Sequence, residues 1–116
     1  MINSFTHVNI YSDEPHEIVE FYNKKLGIPI QFEGFGDYEG ACFGFIEDAP
    51  NICVWHRKRE LDNSSPVIVL GSDGLDKTYE DLLSKGVNVN PPVMAEWGGR
   101  ELIFRDPEDN VIMVLE

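Results

Sequence analysis

Phe5-Thr6-His7-Val8-Asn9-Ile10-Tyr11-Ser12-Asp13 is the stretch on which the reading of this chain turns. Val8 and Ile10 alternate with His7, Asn9 and Tyr11, and a strand sends successive side chains to opposite faces. One face therefore asks for a core and the other carries polar groups. Ser12-Asp13, followed by Pro15, then reads as a helix start. Sixty positions on, Val67-Ile68-Val69-Leu70-Gly71-Ser72-Asp73 restarts the pattern, with Ser72 standing to Ser12 as Asp73 stands to Asp13. Ile52-Cys53-Val54 and Ile112-Met113-Val114 keep the same offset. The chain thus reads as one unit written twice.

Each copy reads β-α-β-β-β. In the first, Ile18, Phe21, Tyr22 and Leu26 recur at helical spacing and Gly27 closes the helix. A strand follows at 28–33, then a glycine-rich loop at 34–40, a strand at 41–46, a turn at 47–51 and a strand at 52–56. Residues 57–65 read as a polar, charged connection between the halves, too short for a disordered linker. In the second copy Leu75, Tyr79, Leu82 and Leu83 line the helix, Gly86 ends it, and Pro91-Pro92 interrupt a strand suited to a sheet edge. Strands at 100–105 and 111–115, separated by a turn at 106–110, complete it. One domain is expected, with repeats at about 4–58 and 65–116. The fold class is α+β: two βαβββ repeats forming a curved mixed sheet with outer helices, since each sheet needs a helix on one face and a partner for the other.

The totals narrow the partners. With 116 residues, 42% of them hydrophobic, the chain can bury a core. Nine basic against 21 acidic side chains give a formal charge of −12, which repels phosphate backbones and argues against nucleic acid. No apolar run approaches a membrane span and no signal peptide is read at the start, so the expected location is cytoplasmic. Cys42 and Cys53 make no metal-ligand spacing and are expected as free buried thiols in a reducing compartment.

Several segments carry a resemblance. Phe5-Thr6-His7-Val8-Asn9-Ile10 leads into Ile18-Val19-Glu20-Phe21-Tyr22 and Leu26-Gly27. Asp81-Leu82-Leu83-Ser84-Lys85-Gly86-Val87 follows in the second copy. Trp97-Gly98-Gly99-Arg100 and Phe104-Arg105-Asp106-Pro107-Glu108-Asp109-Asn110 close it. In this order they resemble the glyoxalase / bleomycin-resistance / extradiol-dioxygenase superfamily, the vicinal oxygen chelate fold. That resemblance implies metal ligands, typically His and Glu, on the first and fourth strand of each repeat. The matching positions here are His7, Cys53, Val67 and Met113. Only His7 is of the usual type, so no metal and no cofactor are expected. A softer thiolate–imidazole pair of Cys53 and His7 is the lesser alternative.

Strand parity lines the concave face with His7, Asn9, Tyr11, Phe43, Phe45, Cys53, Trp55, Val67, Val69, Glu101, Ile103, Arg105, Met113 and Leu115. Trp55 and Trp97 could stack on a planar or cationic ligand, with packing the plainer role for each. The ligand-binding set read from this is His7, Asn9, Tyr11, Phe43, Cys53, Trp55, Val67, Trp97, Arg105 and Met113, with no catalytic residue. The expected function is metal-free binding of a small molecule, such as sequestration of a planar or cationic antibiotic. The alternative is a glyoxalase-like lyase, or a related metal-dependent enzyme, acting on a small oxygenated substrate. The resemblance implies a homodimer.

Overall fold

A computed structural model describes every residue except Asp48, Pro50, Ser64, Ser65, Asp106, Glu108 and Asp109. The turns expected at 47–51 and 106–110, and the end of the connection at 57–65, fall partly outside the described residues. The chain divides into two compact units, one of residues 7–66 and one of residues 1–6 with 67–116. Strand β1 (Ile2–Ser12) contributes to both.

In the unit of residues 7–66, β1 is followed by helix α1 (Pro15–Glu20), β2 (Ile30–Phe35), β3 (Tyr38–Phe43) and β4 (Asn51–His56). The sheet order is β2-β3-β4-β1. Residues 7–12 of β1 run parallel to β4, with Asn9 beside Cys53 and Tyr11 beside Trp55. The other neighbours are antiparallel. Ala41, Phe43 and Val54 form the buried centre of one face, covered by Ile18, Val19 and Tyr22 from the helical segment and by Ile10, Ile28 and Ile30.

In the unit of residues 1–6 and 67–116, β5 (Val67–Ser72) leads through α2 (Leu75–Ser84) to β6 (Val93–Met94), β7 (Arg100–Arg105) and β8 (Val111–Leu115). The order is β5-β8-β7-β6, and again the first and last strands are parallel. Leu75, Val89, Leu102 and Val114 are the core, with Leu70, Tyr79, Leu82 and Phe104 packed on it. Arg100 donates to both Glu116 and Asp76, and a Glu116 oxygen accepts the Leu75 N–H at 3.1 Å, holding the first turn of α2.

The repeat is therefore real, and its small departures are informative. Ser12 and Ser72 play one part: each hydroxyl accepts the N–H two residues on, at 2.9 and 3.0 Å, so the serines make turns rather than direct N-caps. Both helices end at a glycine with positive φ, +74° at Gly27 and +83° at Gly86. Gly27 stands fifteen positions after Ser12 but Gly86 only fourteen after Ser72. The first copy absorbs its extra residue as a π-helical turn, Phe21–Lys25, with Leu26 N–H bonded to the Phe21 carbonyl at 3.1 Å.

Three expectations change. The loop read at 34–40 is a tight hairpin: β2 continues to Phe35, β3 begins at Tyr38, and Gly36 at φ +56° turns the chain. Phe43 is not on the polar-bearing face but in the helix-side core, and Phe45 lies beyond β3, exposed. The cause is one residue. Eight residues join Phe43 to its partner Ile52, whereas seven join Phe104 to Ile112. Carrying the sixty-residue offset into β3 therefore reverses its faces. Finally, Cys42 and Cys53 are not free thiols; they are register partners on β3 and β4 and are joined in a disulfide.

Two consequences are testable. The bridge closes a short loop, with a sequence separation of 11, so the Cys42→Ala/Cys53→Ala double variant is expected to lose about 2–3 kcal/mol of unfolding free energy. Protein denatured without reductant should carry no titratable thiol; two titratable thiols would contradict the bridge. Gly40 in β3 has φ +147°, and a Cβ there would run into the Val54 carbonyl oxygen. Gly40→Ala should therefore cost about 1–3 kcal/mol in urea unfolding, because both the conformation and the contact oppose the methyl.

Candidate functional site

The face of the 7–66 sheet opposite the helix collects what alternation assigns to it. Asn9 and Tyr11 from β1 and Trp55 from β4 are all buried there. The Trp55 indole N–H donates to Asn9 Oδ1 at 3.0 Å, and Asn9 Nδ2 donates to the Tyr11 hydroxyl at 3.2 Å. The indole can only donate, so it fixes which end of the Asn9 amide faces it and leaves the amide N–H groups for Tyr11. His7 begins the same face, half-buried, and hydrogen-bonds Asn9. Cys53 lies between Asn51 and Trp55, its sulfur bound to Cys42.

Around Trp55 stand three further rings. Phe32, Phe35 and Tyr38 have centroids 6.3, 6.5 and 6.4 Å from it. Trp55 and Tyr38 are buried, while Phe32 and Phe35 are 45% and 48% exposed. The cluster thus has a dry floor and an open edge. Lys58 Nζ sits 4.8 Å over the Tyr38 ring. Beyond β4, Asp62 is fully buried in a 3-10 turn, Glu60–Asn63. It accepts the Lys58 and Arg59 N–H groups at 3.0 Å and pairs with the Arg59 guanidinium at 3.3 Å. Burial and the Asp62 charge push the Tyr11 phenol up to about 12, against the nearby Arg59 and Asn9.

The remaining expected residues lie in the other unit. Val67 and Met113 are buried on β5 and β8, on the face away from α2, where Met113 pairs with Val69. Trp97 folds back so closely that a Cβ on Gly99 would strike its ring, and its indole donates to Glu101 at 2.9 Å. Glu101 is a buried carboxylate, 3% exposed, on the parity shared with Ile103 and Arg105. Arg105 is exposed.

Of the expected set, then, His7, Asn9, Tyr11, Cys53 and Trp55 share one face of one unit, whereas Phe43 does not. Sequence reasoning missed Phe32, Phe35, Tyr38, Arg59 and Asp62. The alternation of Phe35 and Tyr38 about Gly36-Asp37 was the available signal for the hairpin rings, and the Arg59/Asp62 spacing for the turn. The metal positions implied by the resemblance do not fit a hard divalent ion. The Cys53 sulfur is committed to the disulfide, Val67 has no donor, and Met113 offers a soft thioether. The thiolate–imidazole pair falls with the free thiol. Among the described residues no three His, Cys, Asp or Glu side chains gather where a metal could sit.

The chain belongs to the glyoxalase/bleomycin resistance protein/dioxygenase superfamily, whose pattern matches residues 4–114. It is 30% identical over 108 residues to YraH of Bacillus subtilis (strain 168), an uncharacterized protein, covering 83% of this chain and 84% of that one. Its fold is that of methylmalonyl-CoA epimerase from Mycobacterium tuberculosis, with a TM-score of 0.73 and 20% identity over 99% of this chain and 88% of that one. Hypothetical protein BH1468 from Bacillus halodurans C-125 is similar too: TM-score 0.72, 15% identity, 97% and 92% coverage. At such identities these structures establish the fold alone. Among the described residues no helix is long and apolar enough to cross a membrane.

Burial holds the His7 imidazole below its ordinary pKa of 6.5, with the Asn9 bond partly offsetting it. The unfolded chain therefore binds the proton first as pH falls. The His7 contribution is intact above about pH 6.5 and is lost progressively below it. Denaturant unfolding between about pH 7.5 and 5 is expected to show declining stability, with a shallower decline in His7→Gln. An identical decline in that variant would show that His7 is not its source.

Proposed function

We propose that the protein binds a small planar molecule against the aromatic face of residues 7–66, without a metal, and holds it rather than transforming it. The observation that carries this is the ring cluster about Trp55: a buried indole locked by Asn9, flanked by two half-open phenylalanines. Rigid aromatic walls with few, fixed polar groups are the usual composition of a small-molecule site. His7, Asn9, Tyr11 and Trp55 are its proposed contacts, with Phe32, Phe35 and Tyr38 added. Phe43 is withdrawn, and Cys53 contributes as half of the disulfide beneath the face. Val67, Trp97, Arg105 and Met113 are retained as proposed contacts of the second unit. Sequestration of a planar antibiotic by a homodimer is the biological form this reading takes.

A second reading has one specific observation behind it. Glu101 is a buried carboxylate held by Trp97, the kind of group that can serve as a base in lyase chemistry. That reading needs a divalent metal, which the donor chemistry of His7, Cys53, Val67 and Met113 does not favour.

The two readings part in titrations of the intrinsic tryptophan fluorescence. A panel of planar heteroaromatic compounds is expected to yield at least one that quenches it with a dissociation constant in the micromolar range, and Trp55→Ala should weaken that binding at least tenfold. Nickel or zinc should leave the signal unchanged. Stoichiometric metal uptake that disappears in His7→Ala would overturn the metal-free reading.

A further inference from the structure

The Trp55–Asn9–Tyr11 chain of hydrogen bonds runs in one direction, and its end is unfinished. Trp55 donates to Asn9, and Asn9 donates to the Tyr11 oxygen. One lone pair of the phenol is thereby taken by an N–H donor, and the nearby Arg59 guanidinium, which can only donate, offers it no acceptor. Its own proton remains, and no described residue accepts it. Tyr11 is 6% exposed. A donor buried to that degree without an acceptor costs free energy that an acceptor would recover.

A second donor nearby is also unmatched. Arg57 Nη2 donates to the Tyr11 carbonyl at 3.0 Å, while Arg57 Nε is buried with no hydrogen-bond partner among the described residues. Asp13 Oδ1 stands 3.7 Å from it, an ion pair beyond hydrogen-bond reach. Donors are thus in excess at this end of β1 and β4. The local charge is balanced, with Asp13, Glu60 and Asp62 standing beside Arg57, Lys58 and Arg59, so what this end has in excess is hydrogen-bond donors rather than net charge.

We infer that Tyr11 is a prepositioned hydrogen-bond donor, and that the molecule taken by this face is a planar aromatic compound carrying an acceptor oxygen, a carboxylate in the first instance. The inference rests on the reading of the aromatic face as a ligand site and names the ligand's polar end. The rings about Trp55 take the flat body, and Tyr11, one amide away, takes the oxygen. The phenol suits the task because it is protonated at neutral pH, and burial moves it further from ionising, so the proton to be donated is present. The Asn9 donor on its oxygen polarises the O–H further, as in any chain of hydrogen bonds in a low dielectric. The cationic ligand suggested by the whole-chain charge would bring no acceptor for this proton.

Two probes with one ring system test it: 2-naphthoate and 2-naphthylmethylammonium. Binding is read from the Trp55 indole N–H signal in a ¹H–¹⁵N spectrum, assigned by its absence in Trp55→Phe. The naphthoate is expected to bind at least tenfold more tightly than the ammonium. Tyr11→Phe should erase that preference, bringing the two constants within a few-fold of each other, because a lost hydrogen bond to a charged group is worth about tenfold or more. The wild-type comparison needs no variant and stands even if Tyr11→Phe folds poorly. Equal or tighter ammonium binding overturns the inference, as does a preference that survives in folded Tyr11→Phe. If the ammonium binds and the naphthoate does not, the small-molecule reading stands and only the ligand class falls. If neither perturbs Trp55 at millimolar concentration, both fall.

Discussion

The parallel pairing of β1 with β4 is the constraint on which the 7–66 unit depends. Parallel neighbours cannot be joined by a tight turn, so the chain must leave β1, cross by way of the helix and the β2–β3 hairpin, and return. That crossing puts α1 on one face and leaves the other free of helix. The register then does the rest. Tyr11 opposite Trp55 and Asn9 opposite Cys53 bring the indole within reach of the amide. A one-residue slip would send His7, Asn9 and Tyr11 into the apolar face with Ile18 and Tyr22, leaving three polar groups to be satisfied in a core. Ile10 and Val54, on the apolar side, make that slip costly from the other direction.

Much of this was legible because the sequence states its strands twice. Two readings of one pattern, sixty residues apart, fix β1, β4, β5 and β8 and the faces they present, and Glu116, one residue past β8, keeps the parity opposite to Met113 and reaches the Leu75 N–H of α2. What could not be read was whatever a single residue decides. The extra residue before Gly27 vanishes into a π-helical turn with no composition signal of its own. The extra residue between Phe43 and Ile52 inverts β3. With β3 inverted, Cys42 rather than Phe43 faces Cys53's side of the sheet and the two are joined, whereas the expectation of free thiols rested on a reducing compartment and not on strand geometry.

The hairpin at Gly36-Asp37 shows a different limit. Glycines at 34, 36 and 40 argued for a loop, since glycine weakens a strand. Each has a structural use instead. Gly34 and Gly36 supply positive φ at the bulged end of the hairpin, and Gly40 admits the close approach of the Val54 carbonyl. Glycine content alone cannot distinguish a chain that is free from one that is tightly constrained. The aromatic cluster is a product of that constraint. Phe35 and Tyr38 are register partners across the turn, and both rings reach Trp55 because the turn is short.

The charge of the chain bears on function less directly than its size suggests. A net −12 sets the long-range field, but salt screens that field over about 8–10 Å. A bound molecule meets its immediate neighbours inside that distance. Those at the Tyr11 end of the face are Arg57 and Arg59, whose counter-charges are partly spent on Asp13 and Asp62. Asp62, fully buried, serves to anchor Arg59 and the start of the 3-10 turn; three of its hydrogen bonds run to residues 58 and 59. Removing it would free Arg59 from its position near the Tyr11 phenol. The acidic surface thus governs what approaches the protein, whereas the donor-rich end of one face governs what stays.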